Sequence, residues 1–330
     1  MKLFSNKFIF FLCIFTFLFY TNSAQNISPK TGKRFTLSLF EQGQIKTKFR
    51  DSLQFDFSQK TFSYRSPLYQ KITEKDNSIS SAGIYLSPNL NVSKLDLGDS
   101  VFSRTLINAS LGISCFYHPE GKNIYSFSVV PSANEDEFTI NDFYVRYASS
   151  FVFMRRVSNK FLYHFGITYT FVFGDGLVIP VLGSRIKLSE KSTLNINLPF
   201  SFNYTKLVNE KFNCNFFVRA TGGINRYQNK LNVDNTNSIY LFRRRNFTVG
   251  GQLNYKFNHS FWLSTQIGLV ANQHISVVDE NRKVINNFNY NLNNVGFVRL
   301  SLIWNFNSSK NYDNEKKYEE ELMDDTWSIF

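Results

Sequence analysis

Arg243-Arg244-Arg245 is the densest run of positive charge in the chain. A guanidinium group presents several N–H donors in a fixed fork, so such a run suits phosphate or carboxylate groups. Three readings compete for it: a clamp on phosphates, part of an anion-attracting mouth, or solvated charges at a water boundary. His164, Arg146, Arg219 and Arg299 form a second set of candidates, together with Lys46, Lys48, Arg50 and Arg185. His164 is the one side chain suited to general-base chemistry, against the plainer reading of a histidine bonded to polar neighbours. The four histidines, His118, His164, His259 and His274, lie in separate segments with no second histidine or cysteine two or four residues away. That spacing favours no metal site, and no motif favours a nucleophile or a cofactor.

The segments that carry these residues alternate. Over residues 161–173 the odd positions are Phe161, Tyr163, Phe165, Ile167, Tyr169, Phe171 and Phe173, while His164, Thr168 and Thr170 occupy the even ones. A period of two is the signature of a strand with two different faces. Residues 177–188, 194–204 and 212–224 repeat the theme, with turn residues Gly174-Asp175-Gly176 and Ser189-Glu190-Lys191-Ser192 between them. His164, Arg146, Arg219 and Arg299 all fall on the polar phase of their segments, which makes them candidate lumen residues if the strands close around a lumen.

Residues 1–24 have Lys2 and Lys7, an apolar run of 13 residues from Phe8 to Tyr20, and then Thr21-Asn22-Ser23-Ala24. This is the pattern of a cleavable signal peptide, and the run falls short of the roughly 20 residues of a membrane-spanning helix. No later run approaches that length, so closed-barrel strands remain as the means of crossing a membrane. The composition agrees: 37 Phe and 17 Tyr among many Asn, Ser and Thr suit a wall with one face in lipid and one in water. A secreted soluble β-sandwich also alternates, but closes in about 100 residues, whereas this alternation continues without a domain break. Export also removes the chain from nucleic acid, despite the 37 basic against 25 acidic residues.

The expected organisation is a signal peptide at 1–24, an antiparallel transmembrane β-barrel of about 12 strands (range 10–14) at 25–306, and an acidic tail at 307–330. Residues 66–80, 228–240 and 279–294 read as loops, and 194–204 as one strand. The final strand, 295–306, ends in Trp304 and Phe306, as suits an interfacial aromatic girdle. The tail has seven acidic residues and three lysines, which leaves 25–306 with 32 basic and 18 acidic residues. It is read either as a disordered periplasmic tail or as a plug drawn to a basic lumen. Cys115 and Cys214 lie in apolar phases and read as small lipid-facing residues rather than as a disulfide.

Pro180-Val181-Leu182-Gly183, Leu194-Asn195-Ile196-Asn197-Leu198-Pro199, Gly222-Gly223 with Arg226-Tyr227, and Val249-Gly250-Gly251 resemble a domain-of-unknown-function family of outer-membrane β-barrels from Gram-negative bacteria, in a Bacteroidetes-like form. The resemblance is carried by about residues 160–270 and implies location and fold, not activity. The expected function is therefore a non-enzymatic small pore or surface protein of the outer membrane with a basic lumen and no cofactor. Its expected partners are membrane lipid, lipopolysaccharide phosphates at Arg243, Arg244 and Arg245, and the barrel-assembly machinery. A membrane-embedded lipid-acting enzyme using His164 is the alternative.

Overall fold

The computed structural model describes residues 33–46, 54–75, 78–96, 104–119, 121–135, 145–229, 238–258, 260–279 and 283–306. The expected signal peptide, the acidic tail, Lys48, Arg50 and His259 lie outside them. Fifteen strands follow one another: β1 (Arg34–Lys46), β2 (Gln54–Lys75), β3 (Ser78–Asp96), β4 (Arg104–His118), β5 (Asn123–Glu135), β6 (Arg146–Ser158), β7 (Phe161–Thr170), β8 (Leu177–Ser189), β9 (Ser192–Leu198), β10 (Ser201–Asn209), β11 (Phe212–Asn229), β12 (Ser238–Lys256), β13 (Phe261–Asp279), β14 (Val284–Asn291) and β15 (Val295–Asn305). Each of β1 to β13 pairs antiparallel with the next, β13 pairs with β15, and β15 closes the ring onto β1. The result is a closed antiparallel barrel of 14 strands, with β14 pairing the far part of β13 on the edge that β15 occupies along the rest of that strand. Closure leaves the described wall without the unpaired edge that an open sheet would expose.

The count stands at the top of the expected range of 10–14 rather than at 12, and one of the additional strands arises because residues 194–204 are two strands. Pro199 has no N–H to give to a ladder, and the Phe200 N–H donates to the Asn197 carbonyl at 2.8 Å, turning the chain between β9 and β10. Two expected loops are also strand. Residues 66–75 continue β2 and 78–80 begin β3, paired as far as Lys75 opposite Ser78. Residues 284–291 of the Asn-rich segment form β14. The turns are short at the end of the barrel that holds the start of β1 and the end of β15: two residues separate β6 from β7, β8 from β9, and β10 from β11. Apart from the two-residue β9–β10 turn, connections at the other end are longer, for example ten residues between β5 and β6.

Alternation sets the two faces of the wall. On β15, Val298, Leu300, Leu302 and Trp304 are exposed outward, whereas Phe297 and Ser301 are buried inward. On β7, Phe165, Ile167 and Tyr169 point out while Leu162, His164, Thr168 and Thr170 are buried. Aromatic rings gather near the short turns, where Trp304 stacks on Phe306 at 4.6 Å and Tyr255 meets Phe257 edge-on at 4.9 Å. This is an outer surface of apolar side chains with an aromatic border, the form a lipid-facing barrel wall takes. Cys115 and Cys214 are free thiols.

Candidate functional site

The interior is layered. One hydrogen-bonded row carries only small polar side chains across nine strands from β11 to β5: Asn213, Asn254, Ser264, Ser301, Ser38, Thr61, Asn91, Asn108 and Asn134. Neighbours in it bond directly: Asn254 Nδ2 donates to Asn213 Oδ1, and Ser38 Oγ donates to Ser301 Oγ at 2.8 Å. Further along the inward face of these strands lies a different kind of surface. Phe40, Phe57, Phe217 and Phe297 join Leu95, Leu106, Phe242 and Val270 in one buried apolar cluster. Sequence reasoning missed this cluster, because it assigned aromatic rings to lipid. The available signal was a phase conflict: Phe217 and Phe297 stand beside outward Phe216 and Val298, in the phase that otherwise holds polar residues.

Two glycines explain how that cluster closes over the wall. Phe217 faces Gly250 on β12, Gly250 faces Gly268 on β13, and Gly268 faces Phe297 on β15. Backbones three strands apart are about 14 Å apart at ~4.8 Å per strand. The Phe217 and Phe297 ring centroids are nevertheless 6.5 Å apart. A Cβ on Gly268 would stand 2.9 Å from the Phe297 ring, in the space the ring uses.

Three arginines lie on these rings. The guanidinium carbon of Arg219 is 4.4 Å from the centroid of Phe217, that of Arg299 is 5.0 Å from Phe40, and that of Arg244 is 3.7 Å from Phe57. Such stacking holds the cation by the ring quadrupole and leaves the N–H edge free for other partners. Arg219 donates Nη2 to Asn203 Oδ1 at 3.1 Å. Among the described residues no carboxylate pairs with any of the three, in contrast to Arg226, 3.4 Å from Glu135, and Arg243, 3.0 Å from Asp175. The rings link Arg219 and Arg244 to Arg299: Phe217 is near Phe297, Phe297 is 5.2 Å from Phe40, and Phe40 is 6.0 Å from Phe57.

The four candidate lumen residues, His164, Arg146, Arg219 and Arg299, all occupy inward positions, but only Arg219 and Arg299 come together. Arg146 donates Nη1 to the Ile224 carbonyl at 2.6 Å, bracing β6 against β11. Close by, β5 pairs with β11 in parallel at Glu135 and Arg226, above the shorter strands between them. His164 faces Gly183, which faces Asn197, and over that missing side chain the His164 ring reaches Asn197, with Nε2 and Oδ1 3.2 Å apart. The three side chains of the arginine triplet are not on one face. Neighbours on a strand point to opposite faces, so Arg244 enters the interior while Arg245 is exposed outside and Arg243 turns to Asp175.

Residues 35–309 match the family model described as a domain of unknown function, DUF6268, a far longer match than the 160–270 stretch that carries the resemblance in sequence. Nothing among curated proteins matches the chain. Among solved structures, the chain is similar to an outer-membrane channel of Pseudomonas putida F1 at 8% identity and a TM-score of 0.42, over 86% of this chain and 98% of that one. It is also similar to the Pseudomonas putida toluene transporter TodX at 12% identity and a TM-score of 0.31, over 87% and 94% of the two chains. The translocator domain of the Neisseria meningitidis autotransporter NalP aligns at 8% identity and 0.31, over 91% and 96%.

Proposed function

The chain belongs to the DUF6268 family, a domain of unknown function, and we propose that it is an outer-membrane β-barrel acting as a non-enzymatic channel whose basic interior favours anions. One observation carries the reading: a closed 14-stranded wall, apolar outside, turns toward its interior three arginines that have no acidic partner among the described residues. A barrel of about 8 strands is filled by its own side chains and one of ~16 holds an aqueous channel, so a wall of 14 strands stands nearer the size that encloses a channel. An interior of fixed positive charge raises the local concentration of anions and repels cations.

Residues 1–24 supply the export signal in this reading, and the short-turn end faces the periplasm. Arg245, outside the wall, is the member of the triplet placed to meet a lipopolysaccharide phosphate. The barrel-assembly machinery inserts the chain. The enzymatic alternative gains little from His164, whose Nε2 is occupied by Asn197. The test is refolding of the full chain into planar bilayers. Stepwise currents are expected, together with gel migration that shifts on heating; a chain that migrates identically before and after heating is not a barrel. Lipid turnover abolished by His164→Ala in a chain that passes no current establishes the enzyme instead.

A further inference from the structure

We propose that Arg219, Arg244 and Arg299, with the phenylalanine rings beneath them, form an internal binding site for an organic anion with an apolar body, of the aryl- or alkyl-carboxylate class. The proposal rests on the channel reading for how the solute arrives, and deepens it by naming what the interior holds. The three guanidinium groups come from β11, β12 and β15 and are linked through rings. Phe217 neighbours Phe297, Phe297 is 5.2 Å from Phe40, and Phe40 is 6.0 Å from Phe57, which carries Arg244. Arg244 and Phe57 sit on strands separated by three others, so their contact crosses the interior rather than following the wall.

The arrangement is costly to a protein that holds nothing there. Like charges brought together inside a wall repel, and each has lost part of its hydration. All three arginines are half-buried rather than sealed in the core. Ring stacking occupies their flat faces and leaves N–H groups at the edges. Arg244 Nη1 is buried and has no hydrogen-bond partner among the described residues. An unmade hydrogen bond from a charged donor is a standing penalty that an incoming carboxylate oxygen removes. Nearby, Gln42 Nε2 donates to Gln273 Oε1 at 3.1 Å, leaving Gln42 Oε1 and Gln273 Nε2 buried and unpartnered.

The class of anion follows from the surroundings. Chloride or phosphate would exchange a full hydration shell for a surface half made of phenylalanine. An anion that ends in a ring or alkyl chain gives its carboxylate to the guanidinium edges and its body to Phe40, Phe57 and Phe297. Both interactions then contribute at once, in the way that small-molecule sites combine an apolar lining with a few placed polar groups.

The direct test is equilibrium dialysis of radiolabelled benzoate against the full chain refolded in detergent, with heat-modifiable migration confirming that each sample is folded. Saturable binding is expected, displaced by unlabelled benzoate at least about tenfold more effectively than by acetate or phosphate, and not displaced by benzyl alcohol. The folded double variant Arg244→Gln, Arg299→Gln is expected to bind at least tenfold more weakly, and Phe57→Leu is expected to weaken benzoate but leave acetate unchanged. No saturable binding to a chain that passes current overturns the proposal and leaves the channel standing. Saturable binding by a chain that passes no current does the reverse. Displacement by phosphate as effective as by benzoate overturns the role of the rings.

Discussion

Replacing Gly183 by alanine would put a Cβ against the Ile196 carbonyl and the His164 ring, in the space through which that ring reaches Asn197. Inserting a methyl where nothing yields costs about 1–3 kcal/mol, so a drop of that size in unfolding free energy, read from urea titration in detergent, is expected for Gly183→Ala. An unchanged midpoint would mean that the ring and the wall have room to spare. At the β8–β9 turn, Lys187 holds the Glu190 carboxyl below the usual carboxylate range, first by a 2.6 Å hydrogen bond and then by its charge. A depressed carboxyl stabilises above its unfolded range and loses that contribution as pH falls through its folded one. The pair is solvent-exposed and surface pairs contribute little; Glu190→Gln is therefore expected to leave the midpoint at pH 7 unmoved. These details were only partly legible in the sequence. His164 could be placed on a polar phase, but its partner depends on which strand comes second along the wall and on a glycine between.

At the level of the strands, alternation placed most of the wall correctly: the phases of Phe165 against His164, or of Leu300 against Arg299, are the faces the barrel shows. Two kinds of signal failed for physical reasons. Residues 66–80 are polar enough to read as a loop, yet β2 and β3 pair through 66–75 and 78–80, because a strand is held by its partner's register as much as by its own pattern. The inward phenylalanines hid in the polar phase, since a two-letter pattern has no place for an interior that is itself half apolar. The outward assignment makes its own prediction. Leu300 is exposed outside the wall at 46%, and an arginine facing mid-bilayer lipid costs about 2–4 kcal/mol. Leu300→Arg is expected to reduce stability in lipid vesicles by that order, measured by reversible urea unfolding, whereas Leu300→Phe is expected to be neutral within about 1 kcal/mol by analogy with volume-tolerant swaps. Equal, small effects would mean that this face does not meet lipid.

Taken whole, the molecule is a wall whose outside and inside answer to different solvents. The sequence announced the outside through its Phe and Tyr alternation and the inside through its excess of basic residues, but not the sorting of the inside into a polar girdle and an arginine-on-phenylalanine cluster. That sorting depends on rows that run across nine strands, which no local stretch contains. The acidic tail at 307–330 adds a separate question at this scale: if it plugs the basic interior, its deletion is expected to raise open-channel conductance, and an unchanged conductance removes that role. The central claim, a closed barrel whose interior charge selects anions, is tested most directly by the reversal potential of the refolded full chain under a tenfold KCl gradient. A potential displaced toward the chloride equilibrium value, and moved back toward zero in the folded Arg219→Gln, Arg244→Gln, Arg299→Gln variant, is the predicted result. A potential displaced toward the potassium value, or one indifferent to the loss of the three arginines, contradicts it.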